Sequence, residues 1–202
     1  MTLPPRPIIL LAALMVAALG LSGCAGVVAG AGAQGLVAAA QERKLLDAVD
    51  DKTIQLRINA RFLNHDANLF RRVETEIVEG RVLLTGNVPR PEDRVEAARL
   101  TWQVAGVREV LNEIAVNDRS GILNYFKDSW ITTRLRAKMI TDAEIVDINY
   151  SVETVNGIVY LIGIAQDEAE LKRLTGHART LSGVRRVISH VRMKDDPRRP
   201  AS

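Results

Sequence analysis

Residues 73–86 read VETEIVEGRVLLTG, and residues 150–163 read YSVETVNGIVYLIG. Under a constant shift of 77 residues, Gly80, Val82, Leu84 and Gly86 fall on Gly157, Val159, Leu161 and Gly163. The register continues without a gap on both sides. Upstream, Asp51, Ile54, Arg57 and Ala60 fall on Asp128, Ile131, Arg134 and Ala137. Glu76 and Val78 fall on Glu153 and Val155, and Gly106-Val107-Arg108 falls on Gly183-Val184-Arg185. Glycines that coincide at three separate places in one register are hard to obtain by chance. The period exceeds that of solenoid repeats, so each copy reads as a small domain of its own.

Both copies predict the same elements. Ile54, Ile58 and Phe62 step by four, as do Ile131, Leu135 and Met139, and each set makes a helical stripe. The quoted stretches alternate with period two around a turn. Asn156-Gly157 is a strong hairpin signal because both residues tolerate positive φ; Glu79-Gly80 is weaker but sits at the same place. A second helix follows, with Pro91 suited to one first turn and Asp167 to capping the other. Its apolar positions are Val95, Ala98 and Val104 in one copy and Leu171, Leu174 and Leu181 in the other, and Gly106 and Gly183 end the helices. A last strand runs over 107–116 and 184–193. The expected fold class is α+β, with two tandem α-β-β-α-β units. In each, a three-stranded sheet is covered on one face by two helices that bury their stripes there.

The paired Gly-x-Val-x-Leu-x-Gly hairpins, each followed by a helix and Gly-Val-x-x-Val, resemble the BON domain of bacterial envelope proteins. The N-terminus carries a second resemblance. One cation, Arg6, precedes an apolar run from Ile8 to Leu21, which is short for a membrane span but suits a signal peptide. The run ends in Leu21-Ser22-Gly23-Cys24, similar to the lipobox of bacterial lipoproteins. That resemblance implies cleavage before Cys24 and acylation of Cys24. An ordinary secretory signal followed by a free cysteine, or an uncleaved anchor, are the alternatives. Cys24 is the sole cysteine, which excludes an intramolecular disulfide and a thiolate metal cluster. Ala25 at the next position implies outer-membrane rather than inner-membrane sorting.

Together these features resemble the dual-BON outer-membrane lipoprotein family, the division- and outer-membrane-stress-associated lipid-binding proteins. Lys127-Asp128-Ser129-Trp130-Ile131-Thr132-Thr133 is especially close to that family's second domain. The resemblance implies a Gram-negative, periplasm-facing protein anchored in the inner leaflet of the outer membrane. It also implies binding of anionic phospholipid, phosphatidylglycerol or cardiolipin, in support of envelope integrity, with envelope or division proteins as further partners. The expected organisation is a signal peptide (1–23), a lipidated cysteine with a Gly/Ala-rich tether (24–46), BON domain 1 (47–117), a linker (118–125), BON domain 2 (126–195) and a disordered tail (196–202).

The segment FKDSWITTRLRAKM, residues 126–139, holds one of two tryptophans. At about 100° per residue, Trp130 lies about 140° from the centre of the Ile131/Leu135/Met139 stripe. Phe126, Thr133 and Ala137 share its side, Arg134 lies between this patch and the core stripe, and Lys127 and Lys138 lie nearby. The first copy has Thr53 in place of Trp130. Residues 51–125 carry 11 cations and 11 anions, whereas 126–140 carry four cations and one anion, so the excess positive charge sits on this helix. An indole prefers the bilayer interface, and cations near anionic headgroups contribute roughly 1 kcal/mol each. The expected lipid-binding residues are Phe126, Lys127, Trp130, Thr133, Arg134, Ala137 and Lys138. The alternative packs Trp130 between the two domains.

No catalytic constellation, metal site or cofactor site is read. His65, His177 and His190 are scattered, the glycines sit at turns and helix ends, and paired acids such as Glu92-Asp93 mark helix starts. A formal charge of +3 on the whole chain is too small to argue for nucleic acid. The rival function is a non-enzymatic adaptor for envelope or cell-wall proteins. A soluble stress protein of the osmotically induced BON type is a third reading, against which Cys24 argues.

Overall fold

The computed structural model describes residues 45–117 and 122–199. The expected signal peptide, Cys24 and most of the tether lie outside the described residues. In the first domain, α1 (Leu45–His65) and a short α2 (Ala67–Arg72) lead into β1 (Val73–Val78) and β2 (Arg81–Val88). Then come α3 (Pro91–Trp102), β3 (Glu109–Asn112) and β4 (Ala115–Val116). In the second domain the order is α4 (Ile122–Thr141), a 3-10 turn (Asp147–Asn149), β5 (Tyr150–Val155), β6 (Ile158–Ala165), α5 (Glu168–Arg179) and β7 (Arg186–Met193). The central strand of each sheet, β2 or β6, pairs antiparallel with the strand before it and parallel with the strand after it.

Why these residues make this fold is visible at the hairpins. Glu79 and Gly80, like Asn156 and Gly157, have positive φ throughout the turn, the geometry that matches strand twist in a two-residue loop. A glutamate is a poor choice there, and the first helix compensates. The Asp51 carboxylate accepts the backbone N–H of Glu79 and of Gly80, both at 2.8 Å. Asp128 does the same for Asn156 and Gly157, at 2.7 and 2.8 Å. The aspartates that matched in the repeat therefore clamp each helix to its hairpin tip. The glycine that closes each hairpin, Gly86 or Gly163, has a different cause. A Cβ at Gly163 would overlap the Asn149 carbonyl oxygen, and one at Gly86 would overlap that of Arg72, where the chain crosses to enter the first strand.

The helical stripes pack as expected. Ile54, Ile58 and Phe62 join Val82, Leu84, Val88, Ala97 and Leu100 in one core. Ile131, Leu135 and Met139 join Val159, Leu161, Leu174 and Ala178 in the other. The other face of each sheet is also covered. Val78 and Leu83 of the first domain pack on Val155, Tyr160, Ile162 and Ile164 of the second, a third core in which the two sheets meet. At ~1.5–3 kcal/mol per buried apolar side chain, those six contribute on the order of 10 kcal/mol before entropy is counted. Alternation decides which core each residue serves: Val159 and Leu161 face the helices, and Tyr160, Ile162 and Ile164 face the partner sheet. Polar contacts edge this seam. Asn156 Nδ2 donates to Asn87 Oδ1 at 2.6 Å, and the His190 ring pairs with Glu113 at 3.0 Å.

The structure corrects several expectations. Val95 is exposed; the core face of α3 runs instead through Ala97, Leu100 and Thr101 to Val104 just beyond the helix. The last strand of the first domain is broken at Glu113–Ile114, where the Asn112 side chain accepts the Ile114 N–H at 3.3 Å and turns the backbone. A serine, Ser189, holds that position in the unbroken β7. Helix α4 starts at Ile122, inside the expected linker, and α1 starts at Leu45, inside the expected tether. The expected disordered tail is docked as far as Arg199, whose guanidinium bonds the buried Glu79 carboxylate at 2.9 Å. Among the described residues no helix is long and apolar enough to cross a membrane.

Candidate functional site

Helix α4 presents two faces. Ile131, Leu135 and Met139 are sealed in the core, while Phe126, Lys127, Trp130, Thr133, Arg134, Ala137 and Lys138 are all exposed. Trp130 keeps 46% of its surface exposed, and the seam between the domains is built from the sheets instead. The alternative that buries Trp130 between the domains therefore does not hold. The Arg134 guanidinium lies 5.1 Å from the Trp130 ring centroid, a cation–π arrangement that holds the indole in place. Tyr125, read from sequence as linker, is helical and meets Phe126 edge-on, with centroids 6.2 Å apart.

The N-terminal half of α4 forms one wall of a cleft of about 680 Å³. Phe126, Lys127 and Trp130 line it from the helix, Asn156 and Gly157 from the hairpin tip, and Gly183 and Arg185 from the loop after α5. Thr133, Arg134, Ala137 and Lys138 lie further along the helix and do not line the cleft. Arg185 is the residue that the sequence reading missed. Its backbone N–H donates to the Gly157 carbonyl at 2.7 Å, which fixes the loop against the hairpin and sets its guanidinium at the rim. The available signal was its match to Arg108 in the repeat, but nothing in the sequence places it beside Trp130.

Two BON domain matches, over residues 50–118 and 127–195, cover both copies of the repeat. This chain belongs to the BON-domain family. It is 42% identical over 147 residues to a protein of Anaplasma centrale known only as an uncharacterised protein in the gshII 5′ region, spanning 72% of this chain and 96% of that one. It is 34% identical to the outer membrane lipoprotein DolP of Haemophilus influenzae over 184 residues, 90% of this chain and 94% of that one. It is also 34% identical to a 21 kDa hemolysin of Actinobacillus pleuropneumoniae over 142 residues, 69% and 72% of the two chains.

The two BON domains build the same cleft with different chemistry. In BON domain 1 the corresponding space is about 300 Å³. Thr53 replaces Trp130, Asp50 replaces Lys127 and Glu79 replaces Asn156. Its lining carries Asp50, Asp51 and Glu79 against Arg57 and Arg108. That of BON domain 2 carries Lys127 and Arg185 against Asp128, whose carboxylate is occupied by the two turn N–H groups. One cleft is wide, aromatic and cationic; the other is narrow, lacks an aromatic side chain and mixes both signs of charge. Among the described residues, no cluster of His, Cys, Asp and Glu is placed to hold a metal ion.

Proposed function

We propose that this chain is a non-enzymatic, outer-membrane-anchored periplasmic lipoprotein whose second BON domain reads anionic phospholipid. The observation that carries the reading is the cleft in which Trp130 and Phe126 stand exposed between Lys127 and Arg185. An aromatic pair suits the interfacial zone of a bilayer, and the cations suit phosphate headgroups. BON domain 1 keeps the fold, and Arg108 in the place of Arg185, but has Val49, Asp50 and Thr53 where domain 2 has Phe126, Lys127 and Trp130, so the aromatic pair and its lysine are not a requirement of packing. Acylation at Cys24 would hold the cleft at the inner leaflet, where a weak headgroup contact suffices because the local lipid concentration is high. Phosphatidylglycerol and cardiolipin are the matching lipids, and support of envelope integrity at the division site is the cellular role. Similarity to an outer membrane lipoprotein over 90% of the chain supports the location.

The test uses a fragment beginning after Cys24, with Trp102→Phe leaving Trp130 as the sole reporter. Emission is followed on titration with phosphatidylglycerol vesicles and with neutral vesicles. The expected result is a blue shift with anionic vesicles alone, reversed by salt, and about fivefold weaker in Arg185→Gln for the loss of one headgroup cation. An unmoved, red emission with both vesicle types sinks the lipid reading and leaves this exposed aromatic surface to a protein partner.

A further inference from the structure

The seam between the two domains holds a second cleft, of about 400 Å³, away from Trp130. Arg81, Arg108, Glu79 and Glu109 line it from BON domain 1, Arg192 from β7, and Arg198 and Arg199 from the segment after β7. Three of these guanidiniums are nearly buried, with side-chain exposures of 7% for Arg81, 12% for Arg192 and 14% for Arg199. Carboxylates are scarcer than cations. One oxygen of Glu109 serves both Arg81, at 2.6 Å, and Arg192, at 2.9 Å. Glu79 serves Arg199, and Asp196 serves the exposed Arg198. Among the described residues, these five arginines stand against Glu79, Glu109 and Asp196, two more cations than carboxylates. Burial, and then the neighbouring Arg81, hold the Arg192 pKa below the ordinary guanidinium value.

The cluster is not a by-product of the repeated fold. The equivalents of Arg81, Glu109 and Arg192 are Ile158, Arg186 and Ala115, so the grouping arises only where the docked domains and the C-terminal segment converge. Every cation in it is arginine, whose planar fork matches phosphate oxygens in pairs. Arg81 and Arg192 also donate to the carbonyls of His190 and Arg198, at 2.9 and 3.1 Å, yet the cluster stays open, with a volume in the range of small-molecule sites, and among the described residues its arginines outnumber its carboxylates. A phosphate monoester carries about −1.5 to −2 charge at neutral pH, which matches the excess.

We propose that this seam cleft binds a small anion bearing a phosphate monoester or a diphosphate, held between Arg81 and Arg108 of the first domain, Arg192 of the second and Arg198 of the segment that follows it. Such a ligand would bridge the two domains. The site is independent of the Trp130 cleft, and either can fail without the other.

The test is calorimetry on the full chain in neutral detergent, titrated with inorganic pyrophosphate at constant ionic strength. A second arm, free of detergent, titrates the chain after Cys24 with phosphatidylcholine vesicles containing phosphatidic acid, whose headgroup is a phosphate monoester. Arg108→Gln with Arg198→Gln removes two exposed arginines without opening the buried network. Arg185→Gln, at the other cleft, is the control. Saturable 1:1 binding of pyrophosphate, weakened at least tenfold in the double variant and unchanged in the control, is expected, with shifts of the Arg81 and Arg192 Nε–H signals. Binding to the vesicles alone, weakened at least tenfold in the double variant against the about fivefold that Arg185→Gln costs at the Trp130 cleft, supports the site and assigns it to a lipid headgroup. No saturable binding in either arm, or equal affinity in the double variant, overturns the proposal.

Discussion

Replacing Asp51 by alanine should unlock one hairpin and leave the other intact. The Asp51 side chain is buried, and its two oxygens accept consecutive N–H groups of a turn whose first residue, Glu79, is held at φ 55°. A hydrogen bond to a charged partner contributes about 1.5–3 kcal/mol. In the alanine variant both donors stay in a buried turn with no acceptor from the helix, and the left-handed glutamate loses its clamp. The expected loss is about 3–5 kcal/mol, a large part of the ~5–15 kcal/mol that holds a domain together. Asp128→Ala, with bonds of 2.7 and 2.8 Å but a less buried carboxylate, should lose somewhat less. Urea denaturation of the chain after Cys24 measures the magnitude, and amide exchange locates it. In Asp51→Ala the amides of Glu79 and Gly80 should lose protection first, while those of Asn156 and Gly157 keep theirs. A loss below about 1 kcal/mol, or unchanged exchange at Glu79 and Gly80, would refute the clamp and leave the turn to glycine and strand pairing alone.

Further outcomes follow from the same physics. Burial, and then Glu74 and Glu76 across the seam, push the Glu153 carboxyl from 4.5 up to about 7. The folded state therefore binds more protons than the unfolded one, so this group lowers stability progressively as pH rises from about 4.5 to 7 and by a constant amount above that. Glu153→Gln should raise stability by ~2–3 kcal/mol at pH 8 and give no gain near pH 4.5, read from urea midpoints at the two pH values. Gly163→Ala should destabilise by ~2 kcal/mol or more by driving a methyl into the Asn149 carbonyl, whereas Gly176→Ala, in helix α5 with open space at its Cβ, should stabilise by ~0.5–1 kcal/mol; thermal melts of the two variants separate the cases. Ile162→Ala, in the third core, should cost ~2–5 kcal/mol and weaken amide protection in both β2 and β6, because both strands bury a face there.

The amino-acid sequence by itself determined each domain. Hydrophobic period, turn residues and matched glycines act over a few residues or one hairpin, so the repeat gave the main order of elements, the hairpin pairing and the core faces of α1 and α4, but not the short α2 or the parallel pairing of the last strand. It also exposed the outward face of α4, because Trp130 sits on the side opposite a stripe that has to be buried. Val95 escaped this logic because α3 offers apolar residues on more than one side, and only docking against the sheet chose Ala97 and Leu100. The break at Ile114 escaped it because an asparagine bonding its own backbone competes with a strand only in a given local geometry. The near-continuous apolar run of β6 did carry a signal of burial on both faces, but not of what covers the second one. Tertiary structure alone decided that the two sheets cover each other. It likewise set Arg185 beside Trp130 and drew Arg81, Arg192 and Arg198 to one seam. Such contacts join residues tens of positions apart, and their energy comes from area and charge that exist only after each domain has folded.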